Sequence, residues 1–166
     1  MPDRPGEDIS EYLACRQGFT PLSTLSLPAD LARRVRFDET VGFGDDTDFA
    51  IRLAAAGAEF SMLPTAQAVM RDDPEPGRLS QEAGWQEVLA WLERLRPQMT
   101  ERAFHCYRGW HVARLAAGSS KVQALGFYLG ALGRGAFPPN LAARALGQIL
   151  VPRRVYRALD RLRVRK

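Results

Sequence analysis

Cysteine and histidine are nearly missing from this chain, which holds only Cys15, Cys106, His105 and His111 among 166 residues. Two cysteines do not make a disulfide framework. The expectation is a cytoplasmic protein with reduced, partly buried thiols. A zinc centre is disfavoured as well: His105, Cys106 and His111 fall on one predicted helix, but the five-residue step from Cys106 to His111 does not share a face. Long apolar runs are also absent. The longest, near Leu125 to Leu132, is far short of the roughly 20 residues of a spanning helix. The opening Met1-Pro2-Asp3-Arg4-Pro5-Gly6-Glu7 lacks the apolar segment of a signal peptide. No internal repeat is visible.

Acid is missing from one long stretch: none stands between Glu101 and Asp160. Residues 1–101 hold 10 Lys+Arg against 18 Asp+Glu, a net −8, whereas residues 102–166 hold 13 against 1, a net +12. Such asymmetry between halves suggests an anionic partner for the basic end. No nucleic-acid motif or basic-aromatic sheet accompanies it, so no nucleic-acid partner is expected. Apolar content of 46% and charged content of 25% are those of an ordinary soluble globule, and the length suits one hydrophobic core.

What is present is an acidic cluster at a helix start. Asp38 and Glu39 precede the loop Gly42-Phe43-Gly44, and Asp45, Asp46 and Asp48 open an amphipathic segment through Phe49, Ile51 and Leu53 to Ala56. Gly57 is the predicted stop. Carboxylates in a first helical turn face free N–H groups and the positive end of the dipole. An ionised acid there can serve as a general base if a substrate hydroxyl reaches it. The same residues also suit plain helix capping.

The wider pattern carries a resemblance. Arg34-Val35-Arg36-Phe37-Asp38-Glu39, then Gly44-Asp45-Asp46-Thr47-Asp48-Phe49-Ala50-Ile51-Arg52-Leu53, then Gly57 and Ala58-Glu59-Phe60-Ser61-Met62-Leu63-Pro64 resemble the C-terminal half of the family 2 glycosyltransferases, enzymes of GT-A fold. The likeness runs from about Leu22 to Ser80. It implies transfer of a sugar from a nucleotide diphosphate sugar to a hydroxyl, with inversion, in cell-surface polysaccharide or glycolipid synthesis. It places the catalytic base on Asp46 and the preceding acid of the pair on Asp45. The acceptor would be a glycan or lipid-linked hydroxyl, and a divalent cation, Mg or Mn, is expected from the family. Two departures stand beside it. Val69-Met70-Arg71-Asp72-Asp73 has no His where many members carry one. A donor loop of Asp-Gly-Ser type and a metal-binding Asp-x-Asp after a buried strand do not precede Phe19, so neither metal ligands nor a donor site are visible. Asp46-Thr47-Asp48 has the spelling of the metal motif but opens a helix. The expectation is a fragment, or a chain whose donor half lies elsewhere.

Two zones follow. Residues 1–73 form the partial GT-A-like acceptor-side α/β segment, and 78–166 a helical C-terminal extension of about five helices, giving an α+β to mostly α class. In the first zone Ile9 to Arg16 and Ala29 to Val35 read as short helices. Phe19 to Leu27 reads as a strand. In the resembled family that strand borders the sugar site, so Ser23 and Thr24 are candidate substrate contacts or plain strand positions. Asp48 and Arg52 are grouped with them, although Arg52 also suits pairing with Asp48. The loop 72–77 is the predicted hinge.

In the second zone Trp85, Val88, Leu89, Leu92 and Leu95 form an apolar stripe, ended by Pro97. Thr100 caps the next helix, which carries Phe104, Tyr107 and Trp110 to Gly118. Ser119 or Ser120 starts a third, containing the GxxxG spelling Gly126 to Gly130, a weak sign of close packing. A fourth spans Leu141 to Leu150. From Pro152 a basic helix sets Arg153, Arg154, Arg157 and Arg161 around Val155, Leu159 and Leu162. It suits either an anionic membrane surface, at the inner face of the membrane, or packing on the protein. The competing class of function is a non-catalytic module that docks on membrane or partner.

Overall fold

The structure, a computed structural model, describes residues 6–61, 63, 65 and 84–151. The predicted hinge 72–77 and the basic tail with Arg153, Arg154, Arg157 and Arg161 lie outside the described residues.

Eight α-helices occur among the described residues: α1 (Ile9–Cys15), α2 (Ala29–Val35), α3 (Asp45–Ala55), α4 (Trp85–Leu95), α5 (Glu101–Tyr107), α6 (Ala113–Ala116), α7 (Lys121–Leu132) and α8 (Pro139–Leu150). Their starts follow local chemistry. Asp8 accepts the N–H groups of Ser10 and Glu11 at 2.8 and 3.3 Å. Thr100 accepts from Ala103 at 3.0 Å and Ser120 from Gln123 at 3.3 Å, the side-chain capping that frees no orphan donor. Pro28 and Pro138 precede α2 and α8 with extended backbone. At the end of α3, Gly57 donates to Ala54 and Ala58 donates to Leu53, which closes the helix where it was expected to stop.

No strand occurs among the described residues. The strand expected over Phe19 to Leu27 is instead a single 3-10 turn, Leu22–Thr24, between irregular segments. Thr24 donates its N–H and its hydroxyl to Pro21 O, each at 3.0 Å. Pro21 and Pro28 have no N–H to give a ladder, and no neighbouring strand is described that could take the remaining groups. Likewise, Ala58 to Ser61 follow Gly57 without regular structure. The structure is thus mostly α.

Helix α1 is central. Ile9, Tyr12, Leu13, Ala14 and Cys15 are all buried, in one core with Ile51 of α3, Val88, Trp91, Leu92 and Leu95 of α4, and Phe104, Cys106 and Tyr107 of α5. That core joins residues from both sides of the predicted hinge. Polar bonds fix the α1–α5 contact at its ends. Thr100 N donates to Ser10 Oγ (3.2 Å), Arg102 pairs with Glu11 (2.9 Å), and Trp110 Nε1 donates to Ala14 O (2.8 Å). Phe104 and Tyr107 are buried and Trp110 is half-buried, so the aromatic stripe is core. A second cluster, Ala113, Ala116, Ala124, Tyr128, Ala145 and Ile149, joins α6, α7 and α8 through small side chains.

Between α5 and α6 the chain makes a π turn, Arg108–Val112. Gly109 lies in it. A Cβ there would stand 2.4 Å from Ala131 Cβ and 2.6 Å from Phe137 Cζ, so only glycine lets α7 and Phe137 come this close. Helix packing of the Gly126–Gly130 pair is not realised: Gly126 faces open space and Gly130 meets only the Arg134 side chain. The close approach is made at Gly109 instead. Gly109→Ala is therefore expected to lower unfolding stability by roughly 1–3 kcal/mol through overpacking. Urea unfolding followed by circular dichroism checks this, and an unchanged midpoint would show that the π turn has room to spare.

Candidate active site

The acidic helix start forms as its residue types dictate. Gly44 takes φ 74°, a left-handed conformation that disfavours any side chain. Asp45, Asp46 and Asp48 then occupy the first turn of α3, and Gly44 O accepts from Asp48 N at 2.8 Å. The three acids have three different surroundings. Asp45 is exposed, Asp46 is half-buried and Asp48 is buried.

Asp48 is the anchor. Its Oδ2 accepts from Arg52 Nε at 2.6 Å and its Oδ1 from Trp91 Nε1 at 3.1 Å. The expected Asp48–Arg52 pair is thus present, at i and i+4 on one helix face. Arg52 reaches further. Its Nη1 donates to Val35 O at 2.9 Å and to Arg36 O at 2.8 Å, capping the carbonyl end of α2. Arg36 itself sits at φ 50°, a conformation rarely adopted by non-glycine residues and held here by its surroundings. One carboxylate therefore links α3 to α4 directly and to α2 through Arg52.

Asp46 faces a different environment. Its Oδ1 accepts from Thr47 N at 2.7 Å. Burial pushes its carboxyl above the ordinary range, the Asp45 charge adds to that, and the Thr47 N–H opposes it. A carboxylate raised in this way is a stronger base than one in free water. Asp46 lies near enough to Tyr107 for its charge to act there: the buried phenol is held well above its usual range, by burial first and by Asp46 second.

Beneath this helix start lies a pile of aromatic rings. Phe43 packs on His111 with centroids 5.5 Å apart, His111 on Tyr107 and Trp110 at 4.9 Å each, and Trp91 on Tyr107 at 5.6 Å. His111 is 8% exposed, and neither of its ring nitrogens has a hydrogen-bond partner among the described residues. Its ring is accordingly held neutral, pushed down to about 3 by burial first and by Arg114 second. A shallow cleft of about 110 Å³ opens beside the same loop, lined by Thr40, Val41, Gly42 and Phe43 from the loop and Glu87 and Arg94 from α4.

The remaining candidates sit on other elements. Ser23 and Thr24 are exposed on their 3-10 turn, and the Thr24 hydroxyl is engaged by Pro21 O. His105, Cys106 and His111 diverge: His105 meets Glu101 at 3.3 Å, Cys106 Sγ contacts Ala14 O at 3.5 Å, and His111 turns to Phe43. Among the described residues no group of three or more His, Cys, Asp and Glu side chains could hold a metal ion. The cation expected from the resemblance finds no fitting ligand set among those residues. Sequence reasoning missed Trp91, Tyr107 and His111 as neighbours of the acids. Trp91, three residues after Val88 and four before Leu95, shares the buried side of α4, a signal the spacing carried, and a π turn shifts the register that an α-helical reading assigns after Tyr107.

The buried, neutral His111 makes stability pH-dependent. Its folded-state pKa lies below the unfolded value, so the folded chain binds fewer protons. Stability is full above the ordinary imidazole value of 6.5 and is lost as pH falls from there toward about 3. The loss is at most about 1.4 kcal/mol per pH unit. His111→Phe keeps the ring contacts and removes the titration. Urea unfolding at pH 7, 6 and 5 should show the stability gap between wild type and His111→Phe move steadily in the variant's favour as pH falls. Parallel pH profiles would place the ring in water.

Comparison with known proteins supplies one relative. Over 113 residues the chain is 30% identical to the amylovoran biosynthesis glycosyltransferase AmsB of Erwinia amylovora, a match covering 66% of this chain and 38% of that protein. The chain thus spans about two fifths of the length of the relative it matches. No family model matches the chain, and no solved structure does. The similarity relates this chain to a glycosyltransferase.

Proposed function

We propose that this chain is the acceptor-side part of a family 2-like, GT-A-like glycosyltransferase, and that the start of α3 carries its base. The observation that carries the reading is Asp46: a half-buried carboxylate with a raised proton affinity, at the position that the resemblance gives to the base, in a chain similar to a glycosyltransferase. In the proposed reaction a hydroxyl of a glycan or lipid-linked acceptor comes within hydrogen-bond reach of Asp46. As its oxygen attacks the anomeric carbon of a nucleotide diphosphate sugar from the face opposite the diphosphate, Asp46 takes the hydroxyl proton. The diphosphate departs with the bonding pair, and the configuration inverts.

Exposed Asp45 orients the acceptor by accepting from its other hydroxyls. Asp48 and Arg52 hold the helix start in place, and the exposed hydroxyls of Ser23 and Thr24 stand as outer contacts for a long acceptor. The product is a longer glycan of a cell-surface polysaccharide or glycolipid. The biosynthetic glycosyltransferase role in the relative's name supports a transferase that builds a product.

Asp46→Asn tests the assignment in the complete enzyme. Asn keeps the shape and can still accept the Thr47 N–H, but it takes no proton. A fall of ~10²-fold or more in kcat is expected, with KM and unfolding midpoint little changed. Turnover at the wild-type rate would remove Asp46 from the chemistry. A larger loss in Asp45→Asn than in Asp46→Asn would move the base by one residue.

A further inference from the structure

Helix α7 presents an apolar face that nothing in the described structure covers. Ala124 and Tyr128 point into the second core cluster and Ala131 into the first. Opposite them Val122 is 83% exposed, Leu129 59% and Leu132 45%, and Gly126 faces open space. A helix apolar on every side is not at rest in water. The patch continues past α7: Lys121 Nζ donates to Leu150 O at 3.3 Å, which brings the end of α8, with Leu150 48% exposed, beside the start of α7. The outward face itself carries no charge, but its ends do. Lys121 opens the helix, and Arg134 beyond its end folds back to donate to Gly130 O at 2.9 Å.

We infer that the α7 face, with Val122, Leu129 and Leu132 at its centre, docks this protein on an anionic phospholipid bilayer. Charge selects that occupant over a second copy of the chain. The charges at the ends of the face, Lys121 and Arg134, are both basic, and residues 102–151 hold no Asp or Glu, so a second copy of the face offers them no counter-charge, whereas lipid phosphates attract both. The sequence after Val151 adds seven basic residues and one acid. The geometry is that of a helix lying in the interface, its leucines in the acyl boundary and its basic ends among headgroups. No described helix is long and apolar enough to cross a membrane.

The test needs neither sugar donor nor acceptor, so it stands or falls apart from the transferase reading. The full chain is sedimented with phosphatidylglycerol-containing vesicles and with pure phosphatidylcholine vesicles, at low and high salt. Leu129→Cys carrying an environment-sensitive dye reports the face directly, because the native Cys15 and Cys106 are buried. Expected are binding to the anionic vesicles that weakens with salt, and a blue shift of the dye with those vesicles alone. Replacing Val122, Leu129 and Leu132 together with Gln should weaken binding by about tenfold or more with unchanged helical signal.

Failure to bind, or equal binding to neutral vesicles, overturns the inference. It is also overturned if the triple Gln variant binds as wild type while Gln at Arg153, Arg154, Arg157 and Arg161 releases the protein, since the tail alone then docks. A dimer that the triple variant dissolves, without vesicle binding, would assign the face to a second copy.

Discussion

The carboxylate of Asp48 is the constraint on which the candidate site depends. Buried charge is tolerated only when it is paired and hydrogen-bonded, and Asp48 meets that requirement with Arg52 and Trp91. Each partner belongs to a further contact. Arg52 closes the carbonyl end of α2, and Trp91 packs on Tyr107 of α5. Satisfying one acid thereby sets α3 in its place relative to α2, α4 and α5. It also sets the direction in which the preceding residues leave the helix. Gly44 turns left-handed, Phe43 lands on His111, and Asp45 and Asp46 stay near the surface.

Three acids of one helical turn thus stand in three different environments. Full burial with two donors makes Asp48 an anchor. Partial burial with one backbone donor leaves Asp46 a carboxylate of raised proton affinity. Full exposure leaves Asp45 open to hydroxyls. The aromatic floor, with its buried, neutral His111, packs under the loop that leads into the helix start. Burial there disfavours the charged form of Asp46, which is what raises its proton affinity.

Much of this was legible in residue type and spacing. Thr100 and Ser120 announce their helices because a hydroxyl accepts a free N–H, and Gly57 announces a stop. The stripe Val88, Leu92, Leu95 shows which side of α4 is core, and Arg52 four residues after Asp48 suggests their pairing. The strand over Phe19 to Leu27 misled, because alternation speaks to burial on one face and says nothing of whether a partner strand exists. Pro21 and the Thr24 hydroxyl favour a local turn instead. The π turn at Arg108–Val112 was not legible, since one extra residue in a helical turn leaves no compositional trace. With it went the position of His111 and the close approach at Gly109. Asp48 meeting Trp91, 43 residues away, is a tertiary fact that no local pattern encodes. The chemistry at Asp46 rested on resemblance, and AmsB strengthens that resemblance only at the level of a glycosyltransferase.

A double-mutant cycle on Asp48 and Arg52 tests the central constraint most directly. Unfolding free energies are measured by urea for Asp48→Ala, Arg52→Ala and the pair. If Asp48 is the anchor, Asp48→Ala alone costs roughly 3 kcal/mol, because the Arg52 guanidinium is left partly buried without its counter-charge. The double variant should then be little worse than Asp48→Ala, a coupling of about 1 kcal/mol or more. Additive losses, each within about 0.5 kcal/mol of zero, would mean that α3 is held by its apolar face and that Asp48 fixes nothing.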